Sequence, residues 1–322
     1  MEIGGIIGVV IASLIVACAV IVGVFFLLGY VTFASFIRRR NNDNDLSKAP
    51  IFAALGPDFA KYREFVQGKA EEFEKVPFEW VSVKSKDGLK LSGRYYAQEG
   101  AEATVICMPG FGPSAYIDCG QFGNYWRAKG FNLLLVTNRA RGESEGQYLG
   151  FGTLEAEDLK VWVAAVVAKN PEAKIFIHGC SAGATAAMLA SAKDLPNNVK
   201  GIIEDSGYTR TWDIFVYQIK QIYKLAPFPI LHIAELFTKK KAKYNFRASA
   251  VKAVAMSSVP ILFIHGASDK LAPTYMCNAL HAACTAPKDI LVVEGAGHMQ
   301  SYMRATEAYE AKLDEFVEKN LH

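Results

Sequence analysis

The chain lacks a disulfide framework. Its six cysteines (Cys18, Cys107, Cys119, Cys180, Cys277 and Cys284) are scattered over 322 residues and form no Cys-x-x-Cys pair, which suits free thiols in a reducing compartment. It also lacks a charge excess: the net charge of +3 excludes an electrostatic case for a nucleic-acid partner. No nucleotide fingerprint occurs, and Phe111-Gly112-Pro113 lacks the spacing of a phosphate loop, so no nucleotide site is read. There is no internal repeat or low-complexity tract. Nor is there a basic segment ahead of the first apolar run, which begins directly after Met1-Glu2.

That run is itself defined by an absence, since no charged residue falls between Ile3 and Ile37. A bilayer core needs about 20 apolar residues, so the run predicts one retained crossing, with residues 1–40 as a transmembrane anchor. Arg38, Arg39 and Arg40 follow it, and basic residues favour the cytoplasmic side. The expected location is therefore a single-pass cell-membrane protein with a cytoplasmic catalytic domain. Gly4 and Gly8 have a helix-packing spacing, but small residues are common in membrane helices.

Residues 41–76 read as a linker, polar over Asn41 to Pro50, and then an amphipathic helix carrying Phe52, Leu55, Phe59, Tyr62, Phe65, Val66 and Phe73. Breaks are expected at Gly56-Pro57 and at Gly68, with packing on the domain favoured over the membrane surface. Residues 77–322 form the third unit. A hairpin turns at Asp87-Gly88 between 79–84 and 89–96. Apolar runs at 104–108, 131–136, 174–178, 200–204, 261–265 and 289–293 suit strands buried on both faces of a parallel sheet. Helical stretches near 116–129, 153–169, 182–193, 272–285 and 300–319 separate them. The fold class is α/β, with one mostly parallel central sheet flanked by helices. Residues 207–257 are too long for a crossover and rich in aromatics, so they predict a helical lid; two ordinary packed helices are the alternative.

Gly179-Cys180-Ser181-Ala182-Gly183 joins an apolar strand to an Ala-rich helix. That context makes Gly-x-Ser-x-Gly a strained turn that presents the Ser181 hydroxyl and aims the Ala182 amide at a substrate oxygen. A serine needs a base. His298, on the glycine-rich loop Gly295-Ala296-Gly297 after the last predicted strand, is the candidate. His178 and His265 end strands and read as supports. Asp269, after 261–265, is the expected acid that orients His298, with Asp205 as competitor. The second oxyanion donor is assigned to Phe111, with Gly112 in reserve, in the loop after 104–108.

Together these residues resemble the α/β-hydrolase superfamily over about residues 76–320. Within it the chain is similar to bacterial membrane-anchored serine hydrolases of the serine aminopeptidase and Bem46-like groups. The matching motifs are Asn138-Arg139-Ala140-Arg141-Gly142-Glu143-Ser144-Glu145-Gly146, His178 to Gly183, Glu204 to Tyr208, His265-Gly266-x-x-Asp269 and Gly297-His298. Pro109-Gly110 stands where many relatives have His-Gly, and Asn138 replaces the usual Asp. The resemblance implies hydrolysis of an ester, thioester or amide without metal or cofactor. Acyl transfer on the same scaffold and a silent binding protein are the alternatives. The expected partners are a small acyl substrate, lipid-like if the aromatic lid lines the pocket, and the membrane.

Two further clusters carry less. Cys277, His281 and Cys284 share a helical face but show no fourth metal ligand. Lys239, Lys240, Lys241 and Lys243 could meet anionic headgroups, though a solvated face explains them as well.

Overall fold

The computed structural model describes residues 3–39, 58–112 and 115–322. The expected linker, the Gly56-Pro57 break and Pro113-Ser114 lie outside the described residues.

The apolar runs become strands of one eight-stranded sheet: β1 (Glu79–Lys84), β2 (Lys90–Tyr96), β3 (Thr104–Met108), β4 (Asn132–Val136), β5 (Ile175–Cys180), β6 (Val199–Asp205), β7 (Ile261–Gly266) and β8 (Lys288–Val293). Their spatial order is β1-β2-β4-β3-β5-β6-β7-β8. The hairpin strands β1 and β2 pair antiparallel, as do β2 and β4, and every pair from β4 to β8 is parallel. Gly88 turns the hairpin at φ 90°, a conformation an L side chain resists. Strands β3, β5 and β7 are buried along their whole length, which is why their sequences are continuous apolar runs and do not alternate.

From β3 the chain moves outward to β4, then crosses back to β5 on the other side of β3. The strand order reverses there, opening a crevice beyond the carboxyl ends of β3 and β5. Such switch points are where open α/β sheets bind ligands. Ser181 and the Phe111 loop leave from those two strand ends.

Helices cover both faces. One layer contains α5 (Glu155–Lys169), α6 (Ala182–Ser191), α9 (Ala250–Val254) and α10 (Tyr275–Ala283), and buries Trp162, Met188, Val254 and Leu280. The other contains α2 (Asp58–Glu74), α3 (Ala115–Gly120), α4 (Gly123–Ala128), α11 (Ser301–Arg304) and α12 (Thr306–Asn320), around Phe73, Trp126 and Phe316. Helix α2 packs on the domain through Tyr62, Val66, Ala70 and Phe73, one stripe at helical spacing. It runs unbroken through Gly68, whose cost its buried stripe outweighs. The stretch expected as one helix over 116–129 is two, parted at Gln121-Phe122, where buried Phe122 stacks on Tyr309.

The inserted region holds α7 (Thr211–Gln221), α8 (Ile230–Lys241) and then α9. Helices α7 and α8 share a separate apolar cluster over the carboxyl end of the sheet, whereas Ala250 and Val254 of α9 belong to the main core. The third member of the separate cluster is the end of α1 (Ile3–Phe36). Its residues Ile6–Phe36 form the one described helix long and apolar enough to cross a membrane.

Helix α1 contains two surroundings. Residues 6–24 are exposed throughout, while Phe33, and Ile37 just past the end of the helix, are buried. Gly29 permits this: a Cβ there would lie 2.5 Å from the Ile233 side chain of α8. Tyr30 and Phe33 then meet Phe237, at ring-centroid distances of 5.3 and 5.9 Å. Arg39 fastens the exit of α1, donating to the carbonyls of Ser144 and Gly142 at 2.7 Å each.

Candidate active site

Ser181 occupies the turn between β5 and α6 at φ 52°, ψ −112°. A non-glycine residue there carries strain of about 1–3 kcal/mol, which the surrounding packing must hold. A Cβ on Gly179 would fall 2.6 Å from the Gly183 carbonyl, and one on Gly183 would collide with the Met108 carbonyl. Both glycines are therefore required by the closeness of strand and helix. The Ser181 amide donates to the Asp205 carbonyl at 2.7 Å, which fixes the elbow to the next strand.

His298 Nε2 lies 2.9 Å from Ser181 Oγ, and its Nδ1 lies 2.7 Å from Asp269 Oδ2. The other carboxylate oxygen of Asp269 accepts the amides of Leu271 and Ala272 at 2.8 and 2.9 Å. Burial opposes ionisation of this carboxyl, but the His298 and His265 imidazoles outweigh it and hold the group well below the usual carboxylate range. His265 Nε2 reaches the Ala272 carbonyl at 2.7 Å and Asp269 Oδ2 at 3.2 Å. The three residues picked from the order Ser, Asp, His thus meet in one hydrogen-bonded line.

The competing acid, Asp205, is used elsewhere. It accepts the Ser206 hydroxyl at 2.8 Å and the Tyr309 hydroxyl at 2.9 Å, while Ser206 Oγ accepts the Met299 amide at 3.0 Å. Behind Tyr309, His178 completes the chain. Trp126 Nε1 donates to His178 Nδ1 at 3.2 Å, so Nε2 carries the ring proton toward Tyr309 Oη, 3.0 Å away. Burial pushes His178 down to about 3 and keeps it neutral. Asp205 therefore braces the loop next to His298 through Met299, and does not touch the imidazole.

Two residues to which the sequence assigned no role organise the Phe111 loop. Asp118 Oδ2 accepts the Gly110 amide at 3.0 Å, and its carboxylate also accepts the Gly112 amide. Burial pushes Asp118 up to about 6. Asn138 Nδ2 donates to the carbonyls of Pro109 and Gly110 at 3.1 and 3.0 Å. This accounts for the Asn where the resemblance has Asp: an ionised carboxylate has no proton to give those carbonyls. The signal in the sequence was that departure itself. Asp118 had none, since an acid on a short helix reads as solvated.

The Phe111 loop beside Ser181 joins an aromatic cluster. Phe111 faces Phe151 at 5.2 Å and Phe36 at 6.4 Å, and Phe215 faces Phe151 at 4.9 Å and Phe36 at 5.7 Å. Arg141 lies over the Phe111 ring at 4.8 Å. Phe36 is the last residue of α1, so that helix supplies part of this cluster.

Among the described residues the metal-type donors that converge are Glu204, His265 and Cys277, within 4.8 Å of one another and all buried. Cys277 belongs to the helical face Cys277-His281-Cys284, but its partners here come from β6 and β7. Burial pushes Glu204 up to about 8 and the Cys277 thiol up to about 11, so both favour their protonated forms, which bind metal poorly.

The prolyl oligopeptidase family matches residues 125–322. The chain belongs to that family. It is a serine hydrolase of the α/β-hydrolase fold. It is similar to YqkD of Bacillus subtilis (strain 168), an uncharacterized protein, with 26% identity over 250 residues covering 77% of this chain and 82% of YqkD. Among solved structures it resembles the Pyrococcus furiosus esterase Pf2001, with a TM-score of 0.63, 22% identity, and coverage of 78% of this chain and 95% of that one. It also resembles the Pyrococcus horikoshii acylaminoacyl peptidase, with a TM-score of 0.56 and 18% identity over 79% of this chain and 43% of the peptidase.

Proposed function

We propose that the protein hydrolyses an ester of an apolar acyl group at the membrane, through an acyl-enzyme on Ser181. The observation that carries this is the line from Ser181 Oγ through His298 to Asp269, at 2.9 and 2.7 Å, on a strained turn beside an aromatic cluster. In the first half-reaction His298 Nε2 accepts the Ser181 proton as Oγ bonds to the acyl carbon. The carbonyl oxygen becomes an oxyanion, met by the amides of Ala182 and Phe111. Phe111 is preferred to Gly112, and likewise to Gly110, because those two amides are engaged by Asp118. The oxyanion collapses, the bond to the leaving alcohol breaks, and His298 returns the proton to it. Water, deprotonated by His298, repeats the sequence and releases the acid and free Ser181. Asp269 stays ionised and holds Nδ1–H throughout.

The aromatic cluster favours an apolar acyl chain, and the same geometry serves a thioester or amide with a different leaving group. The apolar helix α1 supports a single-pass anchor. Arg38 and Arg39 at its exit support a cytoplasmic domain, because Arg39 is bound by neutral carbonyls that leave its charge intact. Turnover of a series of p-nitrophenyl esters by wild type and Ser181→Ala tests the assignment. Loss of roughly a hundred-thousandfold is expected, together with loss of fluorophosphonate labelling. Equal turnover by the two proteins removes the nucleophile. Protease treatment of intact cells tests the orientation, since a cytoplasmic domain is spared.

A further inference from the structure

Helices α1 and α8 run side by side in the same direction. Gly29 lies against Ile230 and Ile233, and Phe33 lies against Phe237. Further along, the Leu149 amide donates to the Ile37 carbonyl and Tyr244 Oη donates to the Leu149 carbonyl, so the two chain segments stay level. The start of α8 is therefore directed toward the N-terminal part of α1, away from Arg38.

Lengths then decide where the start of α8 falls. At about 1.5 Å per residue, the 34 residues of α1 extend about 51 Å, against a hydrocarbon core of about 30 Å. About 20 Å is surplus. The docked stretch from Gly29 to Phe36 lies at the C-terminal end and accounts for much of it. This leaves about the first 20 residues for the bilayer, and places the boundary of the apolar core near residues 22–26. Counting back along α8 from Ile233, the connection between α7 and α8 reaches that same level. It carries Leu225 and Phe228, apolar side chains 48% and 71% exposed, the Phe228 ring resting edge-on against His232. Lys220 and Lys224 lie exposed beside them.

We propose that this connection, residues 222–229, is a second membrane contact: Leu225 and Phe228 enter the interface of the bilayer that α1 crosses, and Lys220 and Lys224 meet anionic headgroups. The inference rests on the reading of α1 as a membrane anchor. It seats the cap on the lipid surface, with the aromatic cluster that holds Phe36 and Phe215 immediately beneath, so that an amphiphile's acyl chain reaches Ser181 from the leaflet.

Site-specific fluorescence on the full-length protein, with Cys18 replaced by Ala, tests this in vesicles of phosphatidylcholine and phosphatidylglycerol. Leu225→Cys, Phe228→Cys and Met256→Cys are each labelled with an environment-sensitive dye. Met256 is 71% exposed and precedes β7, at the end of the sheet opposite the cap. Flotation of each sample with vesicles reads the anchor independently. The expected result is flotation of all three, with a blue shift and quenching by shallow nitroxide lipids at positions 225 and 228 but not at 256. Flotation without quenching at 225 and 228 overturns the second contact and leaves the anchor standing. Failure to float overturns both. Quenching equal at all three positions also overturns the contact, since it reports adsorption without orientation.

Discussion

Asp205 and Asp269 stand at equivalent places, on or just beyond the carboxyl ends of neighbouring strands β6 and β7, and both are buried. Their surroundings differ. Asp205 faces hydroxyls from Ser206 and Tyr309, and burial raises its pKa. Asp269 lies between two imidazoles and two amides and is held ionised. Position at a strand end brings an acid near the site, but the hydrogen-bond partners decide which acid serves the base. One carboxylate holds a catalytic tautomer, and the other holds the loop on which that histidine rides.

The largest effect that separates them is on turnover. Asp269→Asn should lower kcat/KM by about ten-thousandfold, because Nδ1–H loses its ionised acceptor. Steady-state kinetics on a p-nitrophenyl ester reads this, and a loss under tenfold would return Asp205 to contention. Asp205→Asn should instead act on stability, by about 1–3 kcal/mol, as an amide donor confronts the Tyr309 and Ser206 hydroxyls. Denaturant unfolding beside the same kinetic assay measures both quantities, and a collapse of turnover in a fully folded variant would contradict the bracing role.

A third acid sharpens the contrast by titrating in range. Ionised Asp118 accepts the Gly110 and Gly112 amides, and its raised pKa of about 6 means the charge is lost as pH falls through that value. Asp118→Asn lacks the charge at every pH. The ratio of wild-type to variant turnover should therefore be a few-fold above pH 7 and shrink toward one below pH 6, which removes the shared titration of other groups. A ratio constant from pH 5 to 8 would show that the charge does not hold the loop. The last contrast concerns His178 and acts on stability alone, only at acid pH. Its folded pKa of about 3 lies below its ordinary value, so the unfolded chain binds the extra proton between about pH 6.5 and 3. Stability should fall as pH drops through that window and be level above it. His178→Gln, followed by chemical denaturation at successive pH values, should flatten the slope.

Much of this was legible in the residues. Fully buried strands leave uninterrupted apolar runs, and a nucleophile elbow cannot form without small residues at 179 and 183, so the strands and Ser181 could be read directly, while the order of the strands in the sheet could not. His298 and Asp269 followed from chain order. The choice between two acids needed distances. Asp118 and Asn138 act through loop amides and carbonyls six to twenty-nine residues away, a relation that spacing does not encode. Residue 68 misled because glycine lowers helix propensity, yet a stripe of four buried side chains offsets about 1 kcal/mol. Hydropathy also reads the length of α1 but not its surroundings, since lipid and an aromatic cap demand the same side chains.

That last ambiguity has a practical side. Trimming a membrane helix is the usual first step toward a protein that can be purified without detergent. Here a cut before Arg38 would remove Phe33 and Phe36 with it, uncovering Phe215, Phe237 and Tyr148. The shortened chain could keep every reacting group and still give a false account of which substrates it prefers.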